Sequence, residues 1–319
     1  MARTGGHLPL DPYRPSERLP WALKWKIPRF FRRALPQPVI NGLHELKVRI
    51  LTRDLSRDRE FELEDTQSSA SMSIVVPVHD APLVTRRCLA SLEKYAPKAE
   101  IIIVDDGSRL VETSKVIGDF SSRNEWKVVN HATPLGHSAS CGAGASLATR
   151  PYLCLLNSDT VVTPWCWRLV KDVFEHDQKT AVAGPSTSNS GNVQALPLAT
   201  VLSPYLNDNQ ICGFAKRLLA ECPDPIVADL PWASGFAFFI RRNLWEQLSG
   251  FDRKIPDYYN DVELCKRVVE KGYRTVWIRN AYIHHLGRQS YRETIGEDGV
   301  VARIEAALIY SKQKHSMHL

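Results

Sequence analysis

From residue 73 onward, short unbroken apolar runs alternate with stretches of helical spacing. SIVVPV (73–78), EIIIVD (100–105), WKVVN (126–130), YLCLLN (152–157), TAVAG (180–184) and GFAFFI (235–240) are too short for helices and read as buried strands. Between them, DAPLVTRRCLASLEKYAP (80–97) sets Val84, Cys88, Leu92 and Tyr95 on one helical face, with Asp80 near the start. Thr163 and Pro164 form an N-cap and first-turn signal for a helix reaching about Asp177. RNLWEQLSG (242–250) predicts another helix. NDVELCKRVVEKG (260–272) predicts one with Val262, Cys265, Val268 and Val269 inward and Gly272 as its stop. Short apolar strands alternating with helices imply an α/β fold, a mostly parallel sheet covered on both faces.

In such sheets ligands bind outside the carboxyl ends of the strands. Asp105, Asp106, Asn157 and Asp159 all fall at such ends. Three carboxylates suit a diphosphate ligand only with a cation between them, so Asp159 is a candidate ligand for a divalent ion. Asp105 or Asp106 can accept from a base N–H or a ribose hydroxyl without a metal. The competing reading is that these acids cap turns and helices. Asp261 sits at a predicted helix N-terminus, where the dipole favours an ionised carboxylate able to accept a hydroxyl proton. A simple helix cap is the alternative there.

Composition changes this picture little: 44% apolar and 24% charged residues are ordinary for a soluble globular protein. Seven cysteines, scattered without CxxC spacing, argue against a disulfide framework or structural zinc and for a reducing compartment. No charge-free apolar run of about 18 residues predicts a membrane span. The N-terminus lacks the apolar core of a signal peptide, which points to a cytoplasmic location.

Charge changes it more. Residues 1–53 carry 11 Lys+Arg against 3 Asp+Glu, whereas the rest carries 30 against 32. Within residues 20–53, PWALKWKIPRFFRRAL interleaves Leu23, Ile27, Phe30, Phe31 and Leu35 with Lys24, Arg29, Arg32 and Arg33, and Pro28 divides it into two short segments. One reading is an extension lying on an anionic membrane surface, which would make the protein peripheral on the inner face of the plasma membrane. The other is helices packed on the catalytic domain or a partner. Nucleic acid is not expected, because no binding motif accompanies the charge. LEDTQSSAS (63–71) reads as a linker. The organisation expected is an extension over 1–70, a catalytic domain over 71–295 and a C-terminal amphipathic helix and tail over 296–319.

The order of the motifs is more specific than any one of them. SIVVPVHDAPLVTRRCLASL, IIIVDDGS, LLNSDTVVTPWCW, GFDRKIPDYYNDVELCKRVVEKGY and AYIHHLGRQS, spanning about residues 72–290, together resemble an inverting family 2 glycosyltransferase of the GT-A fold. That resemblance implies a nucleotide-sugar donor (a UDP-, dTDP- or GDP-sugar), Mn2+ or Mg2+, and a glycan or glycolipid acceptor in bacterial cell-surface polysaccharide synthesis. Asp159 matches the metal-binding acid of the family's DxD variant. His285, followed by Leu286 and Gly287, matches the metal-contacting histidine, with His284 as the neighbouring alternative. Pro77, Asp105, Asp106, Gly136, Asn157 and Ser158 match donor-binding positions. Asp261 matches the general base, and Trp232, Ser234, Gly235, Tyr259 and Asn260 fall on the acceptor side.

Four positions depart from the pattern. Asn157 stands in place of the first DxD acid, Asn260 in place of the acid before the base, and His137 in place of an aromatic residue after Gly136. Gly142 also replaces an asparagine in that loop. GAGAS (142–146) lacks the third glycine of a dinucleotide fingerprint and does not directly follow a strand. Two other functions fit the fold class: a sugar nucleotidyltransferase, against which PVHDAP replaces the expected Gly-rich loop, and a catalytically weak carbohydrate-binding scaffold.

Overall fold

The computed structural model describes residues 63–203, 206–220, 222–287 and 301–310. Contacts divide the chain into Met1–Arg57 and Asp58–Leu319, and every described residue belongs to the second unit. The basic segment 20–53, the end of AYIHHLGRQS (288–290) and most of the predicted C-terminal tail lie outside the described residues.

The main sheet has eight strands: β1 (Met72–Val78), β2 (Glu100–Asp105), β3 (Lys127–Asn130), β4 (Tyr152–Leu156), β6 (Thr180–Ser186), β7 (Val227–Asp229), β8 (Ala237–Arg241) and β9 (Arg274–Tyr282). Their spatial order is β3-β2-β1-β4-β8-β6-β9-β7. The β3-β2, β2-β1, β1-β4 and β6-β9 pairs are parallel. β8 runs antiparallel to both β4 and β6, and β7 runs antiparallel to β9. The sheet is therefore mixed, and parallel pairs predominate only narrowly. A separate antiparallel ribbon joins β5 (Thr160–Val161) to β10 (His284–His285).

Each central strand feeds two cores because successive side chains alternate between faces. β1 sends Ile74 and Val76 to one side and Val75 to the other; β4 divides Cys154 and Leu156 from Leu153 and Leu155 in the same way. Helices α1 (Pro82–Tyr95), α2 (Val111–Asn124) and α4 (Cys166–His176) cover the first face through Leu92, Phe120, Trp167 and Phe174. Helices α3 (His137–Ala145), α7 (Arg242–Gln247) and α8 (Asn260–Glu270) cover the second through Cys141, Trp245 and Leu264. The glycine-rich run forms α3 because close packing requires it: a Cβ on Gly144 would collide with Val75 and crowd Val104. The remaining helices, α5 (Pro197–Leu202) and α6 (Asp208–Ala220), lie between β6 and β7, and residues 301–310 form α9.

Several expectations need correcting. α4 starts at Cys166 with Trp165 as N-cap, since the Thr163 hydroxyl donates instead to the Tyr282 carbonyl at 2.6 Å. On α8, Val262 is half-buried and Val269 is 52% exposed; the buried face is Asn260, Glu263, Leu264, Cys265 and Val268. That face turns because Glu263, fully buried, is matched by Arg267, whose Nη2 lies 2.6 Å from Oε2. Arg267 also donates to the carbonyls of Leu248 (2.6 Å) and Gly250 (2.8 Å), tying α8 to the turn after α7. Residues Leu63–Ser71, read as a linker, form a 3-10 helix with Thr66 and Ser69 buried.

Candidate active site

Because β1, β2 and β4 are parallel, their C-terminal ends share one edge of the sheet, and the predicted residues gather there. Asp105 closes β2, and its Oδ1 accepts the Ser108 N–H at 2.9 Å, forming the DDGS turn. Asp106 holds the next loop. Its Oδ1 accepts from Leu135 N–H (2.9 Å) and meets His131 Nδ1 (2.7 Å), and its Oδ2 accepts from Gly136 N–H (2.9 Å). Burial opposes ionisation of Asp106, but these donors outweigh it and hold the carboxyl below its ordinary pKa. Asp106 thus shapes the rim of the cleft, and Gly136 follows as the N-cap of α3. Pro77 is half-buried on β1, in register with Val104.

Asn157 leaves β4, and its N–H donates to the Phe236 carbonyl at 2.9 Å, so the β4 turn touches the segment entering β8. Ser158 and Asp159 are buried behind it. Asp159 and His285 are far apart in sequence, yet the β5–β10 ribbon aligns Thr160 with His285 and places them side by side. His285 Nε2 lies 3.2 Å from Asp159 Oδ1. Its Nδ1 lies 2.7 Å from the Asn189 carbonyl, which can only accept, so Nδ1 carries the proton of the neutral ring. That tautomer turns the Nε2 lone pair toward the Asp159 carboxylate, the arrangement of a metal-ligating histidine oriented by a backbone carbonyl. Phe236 stacks on the imidazole at 5.3 Å and fixes its plane. Gly287 has φ +82°, and a Cβ there would collide with Asn189, so the glycine of HLG permits the supporting contact.

His284 faces elsewhere. Its Nδ1 meets Tyr282 Oη at 2.9 Å and its Nε2 meets Ser203 Oγ at 3.1 Å, so both ring nitrogens are engaged within the fold. Burial, then the charge of the Arg87 guanidinium, push its pKa down to about 3. Of the two histidines, His285 is the one beside Asp159. Among the described residues no group of three or more His, Cys, Asp or Glu side chains converges. An ion at Asp159 and His285 would take the rest of its shell from substrate oxygens and water, as nucleotide-bound Mg2+ commonly does.

Of the residues expected on the acceptor side, Gly235 and Asn260 contact Asp261. Its Oδ2 accepts the Gly235 N–H at 2.8 Å and its Oδ1 accepts its neighbour Val262 N–H at 2.8 Å. Burial raises its pKa, and the backbone donors from Gly235 and Val262 offset part of that rise. A carboxylate held more basic than usual suits proton acceptance. Tyr259, at φ +71°, is the N-cap of α8, and its ring lies 5.7 Å from Lys266 Nζ. Asn260 is buried, while Ser234 donates its N–H to Gln194 Oε1 at 2.8 Å. The Trp232 carbonyl accepts from Asn192 at 3.1 Å, and its half-buried ring packs on the second core. Sequence reasoning passed over Gln194 and Asn189. Asn189 contributes only a backbone carbonyl, which no side-chain pattern can signal.

The model of the glycosyl transferase family 2 matches residues 73–246, more than half of the chain. The chain belongs to glycosyl transferase family 2. Among curated relatives of this family 2 chain, a pre-mycofactocin glycosyltransferase of Mycobacterium tuberculosis is 25% identical over 232 residues, 72% of this chain and 45% of the relative. An N-acetylglucosaminyl-diphospho-decaprenol L-rhamnosyltransferase of the same organism is 27% identical over 117 residues, 36% of each chain. The family 2 chain thus spans less than half the length of these relatives. Among solved structures, a mannosyltransferase of Pyrobaculum calidifontis in complex with GDP-Man and Mn2+ superposes with a TM-score of 0.53 at 14% identity, covering 75% of this chain and 64% of that one. GalNAc-T7 with UDP, GalNAc and Mn2+ gives a TM-score of 0.53 at 17% identity, covering 74% and 47%. At these identities the likeness establishes the fold, a large central sheet flanked by helices of the GT-A type.

Proposed function

We propose that the protein is an inverting, metal-dependent glycosyltransferase that moves a sugar from a nucleotide-sugar donor to a hydroxyl of a glycan or glycolipid acceptor, in cell-surface polysaccharide synthesis. The observation that carries this reading is the division of labour at one sheet edge. A carboxylate–imidazole pair, Asp159 and His285, faces inward from the ribbon, while a separate carboxylate of raised basicity, Asp261, sits at a helix start.

In this reading Pro77, Asp105 and the rim held by Asp106 and Gly136 receive the nucleoside, and Ser158 lies behind the diphosphate. Asp159 and His285 hold Mn2+ or Mg2+, which when bound offsets the charge developing on the leaving diphosphate. Asp261 accepts the proton of the acceptor hydroxyl as that oxygen attacks the anomeric carbon. The nucleoside diphosphate departs from the opposite face, so the configuration inverts. Gly235 and Val262 keep the carboxylate aimed, and Trp232, Ser234 and Tyr259 border the acceptor. Positioning and leaving-group electrostatics supply most of the rate.

The test is a panel of UDP-, dTDP- and GDP-sugars with Mn2+ or Mg2+, read by nucleoside diphosphate release. Metal-dependent turnover of one donor is expected. No release from any donor, with the protein folded, would refute the enzymatic reading in favour of a binding scaffold. The proposal extends to an anionic membrane contact through residues 20–53, at the inner face of the plasma membrane. Removing residues 1–60 should abolish co-sedimentation with vesicles containing phosphatidylglycerol, and persistent binding would relocate the contact. No helix of the described residues is long and apolar enough to cross a membrane.

A further inference from the structure

Three of the four residues that depart from the family pattern, Asn157, His137 and Asn260, lie far apart in sequence and come together around the His137 ring. Asn260 Nδ2 approaches His137 Nδ1 at 3.1 Å and donates to Ser138 Oγ at 2.9 Å, while its Oδ1 accepts the Asp261 N–H at 2.8 Å. An amide nitrogen can only donate, so His137 Nδ1 accepts and the ring proton sits on Nε2. The other ring nitrogen, Nε2, lies 3.6 Å from Cys141 Sγ, and the Asn157 side chain is a further polar neighbour of the ring. In the line Asn157–His137–Asn260–Asp261, the two bonds made by Asn260 have a defined direction. Burial pulls the His137 pKa below its ordinary value, in keeping with a neutral ring.

The replacements are chemically interdependent. A carboxylate at 260 has no proton for either His137 or Ser138. A phenyl ring at 137 would leave the amides of Asn157 and Asn260 without their shared partner, a loss that is costly in a buried setting. The line also joins the two halves of the site: Asn157 is on the turn that carries Asp159, and Asn260 opens the helix that carries Asp261.

We propose that His137 is a positioning residue, a neutral hydrogen-bonded bridge through which the donor-side turn at Asn157 sets the placement of Asn260 and the base Asp261. This rests on the glycosyltransferase reading, in which donor and acceptor occupy those two halves. Asn157 accordingly spends its amide on the bridge and not on the metal.

Two measurements test it. Nitrogen-15 NMR of wild-type protein at pH 7 should show His137 as the neutral Nε2–H tautomer; an Nδ1–H tautomer or an imidazolium would overturn the bridge, whatever the activity. With the active donor, His137→Phe should lower kcat for transfer about 10–100-fold with donor Kd within about threefold, since small displacements of reacting groups cost that much. His137→Gln, which can both accept and donate, should recover most of the rate. The His137→Phe/Asn260→Ala double variant should be no slower than the slower single variant. Wild-type kcat in His137→Phe, or multiplicative losses in the double variant, would refute the coupling. If wild-type protein turns over no donor, the proposed function fails while the tautomer still decides the bridge.

Discussion

Replacing Asp261 with Asn keeps the shape of the side chain and removes its ability to accept a proton. Each carboxylate oxygen now accepts one backbone N–H at 2.8 Å, from Gly235 and from Val262. An amide can accept only one of these and sets its NH2 against the other donor. One buried N–H left unpaired costs about 1–3 kcal/mol of stability, or roughly 2–4 °C of Tm for each kcal/mol in a domain of this size. The chemical loss should be larger: removing a general base lowers kcat by about 10²–10⁴, equivalent to ~3–5 kcal/mol of barrier. The acid limb of the pH–rate profile should go with it. Wild-type kcat should fall as pH drops through the raised Asp261 pKa, because the protonated carboxyl cannot accept a second proton. The assay is nucleoside diphosphate release under saturating acceptor, with thermal unfolding showing that the variant is folded and calorimetry showing donor Kd within about threefold. A folded Asp261→Asn variant that turns over within tenfold of wild type and keeps the acid limb would remove Asp261 from the mechanism.

Asp159→Ala should abolish the Mn2+-dependent part of nucleotide affinity, and an unchanged calorimetric Kd with and without Mn2+ would exclude Asp159 as a metal ligand. Arg267→Met strands the fully buried Glu263 and frees two carbonyls; denaturant unfolding should show a loss of about 3–5 kcal/mol, and less than about 1 kcal/mol would contradict the pairing. For Glu100, burial opposes ionisation, but donors from Lys127, Ser73 and Thr149 outweigh it and bring its pKa to about 2. A depressed carboxyl pKa stabilises the fold above the unfolded value near ~4.3, and that stabilisation fades as pH falls toward 2. Glu100→Gln should therefore cost about 1 kcal/mol at pH 7, discounted for partial exposure, and the gap should close on acidification. A gap constant from pH 7 to pH 2.5 would show the effect to be steric.

The strands β1, β2, β4 and β8 were legible because each is an apolar run buried on both faces. β9 was not, since Arg274, Trp277 and Arg279 interrupt RTVWIRNAY with half-exposed positions near the sheet's far edge. The antiparallel entry of β8 leaves no mark in the sequence, because an apolar strand looks the same in either direction. On α8 the spacing favoured Val262 and Val269, but a buried ion pair draws Glu263 inward, and apolar periodicity cannot register a compensated charge. Asp159, His285 and Asp261 were singled out through the order of the motifs; their geometry depends on a two-residue ribbon and on backbone groups of Asn189 and Gly235. The bridge through His137 was visible only as three separate oddities until the fold brought them together.

The sheet order also sets a timetable for folding during synthesis. β1, β2, β3 and β4 can pair as soon as residue 156 emerges, but the other edge of β4 meets β8 only 81 positions later, Leu156 against Ala237. At about 5–20 residues per second that edge waits for roughly 4–16 s, presenting the apolar YLCLL with unpaired backbone groups to any neighbouring chain. A chain ending at residue 230 should aggregate where the full chain stays soluble, and a soluble, protease-resistant truncation would refute this. The strand that delivers Asp159 to the site is thus, for part of every synthesis, an adhesive edge of the nascent protein.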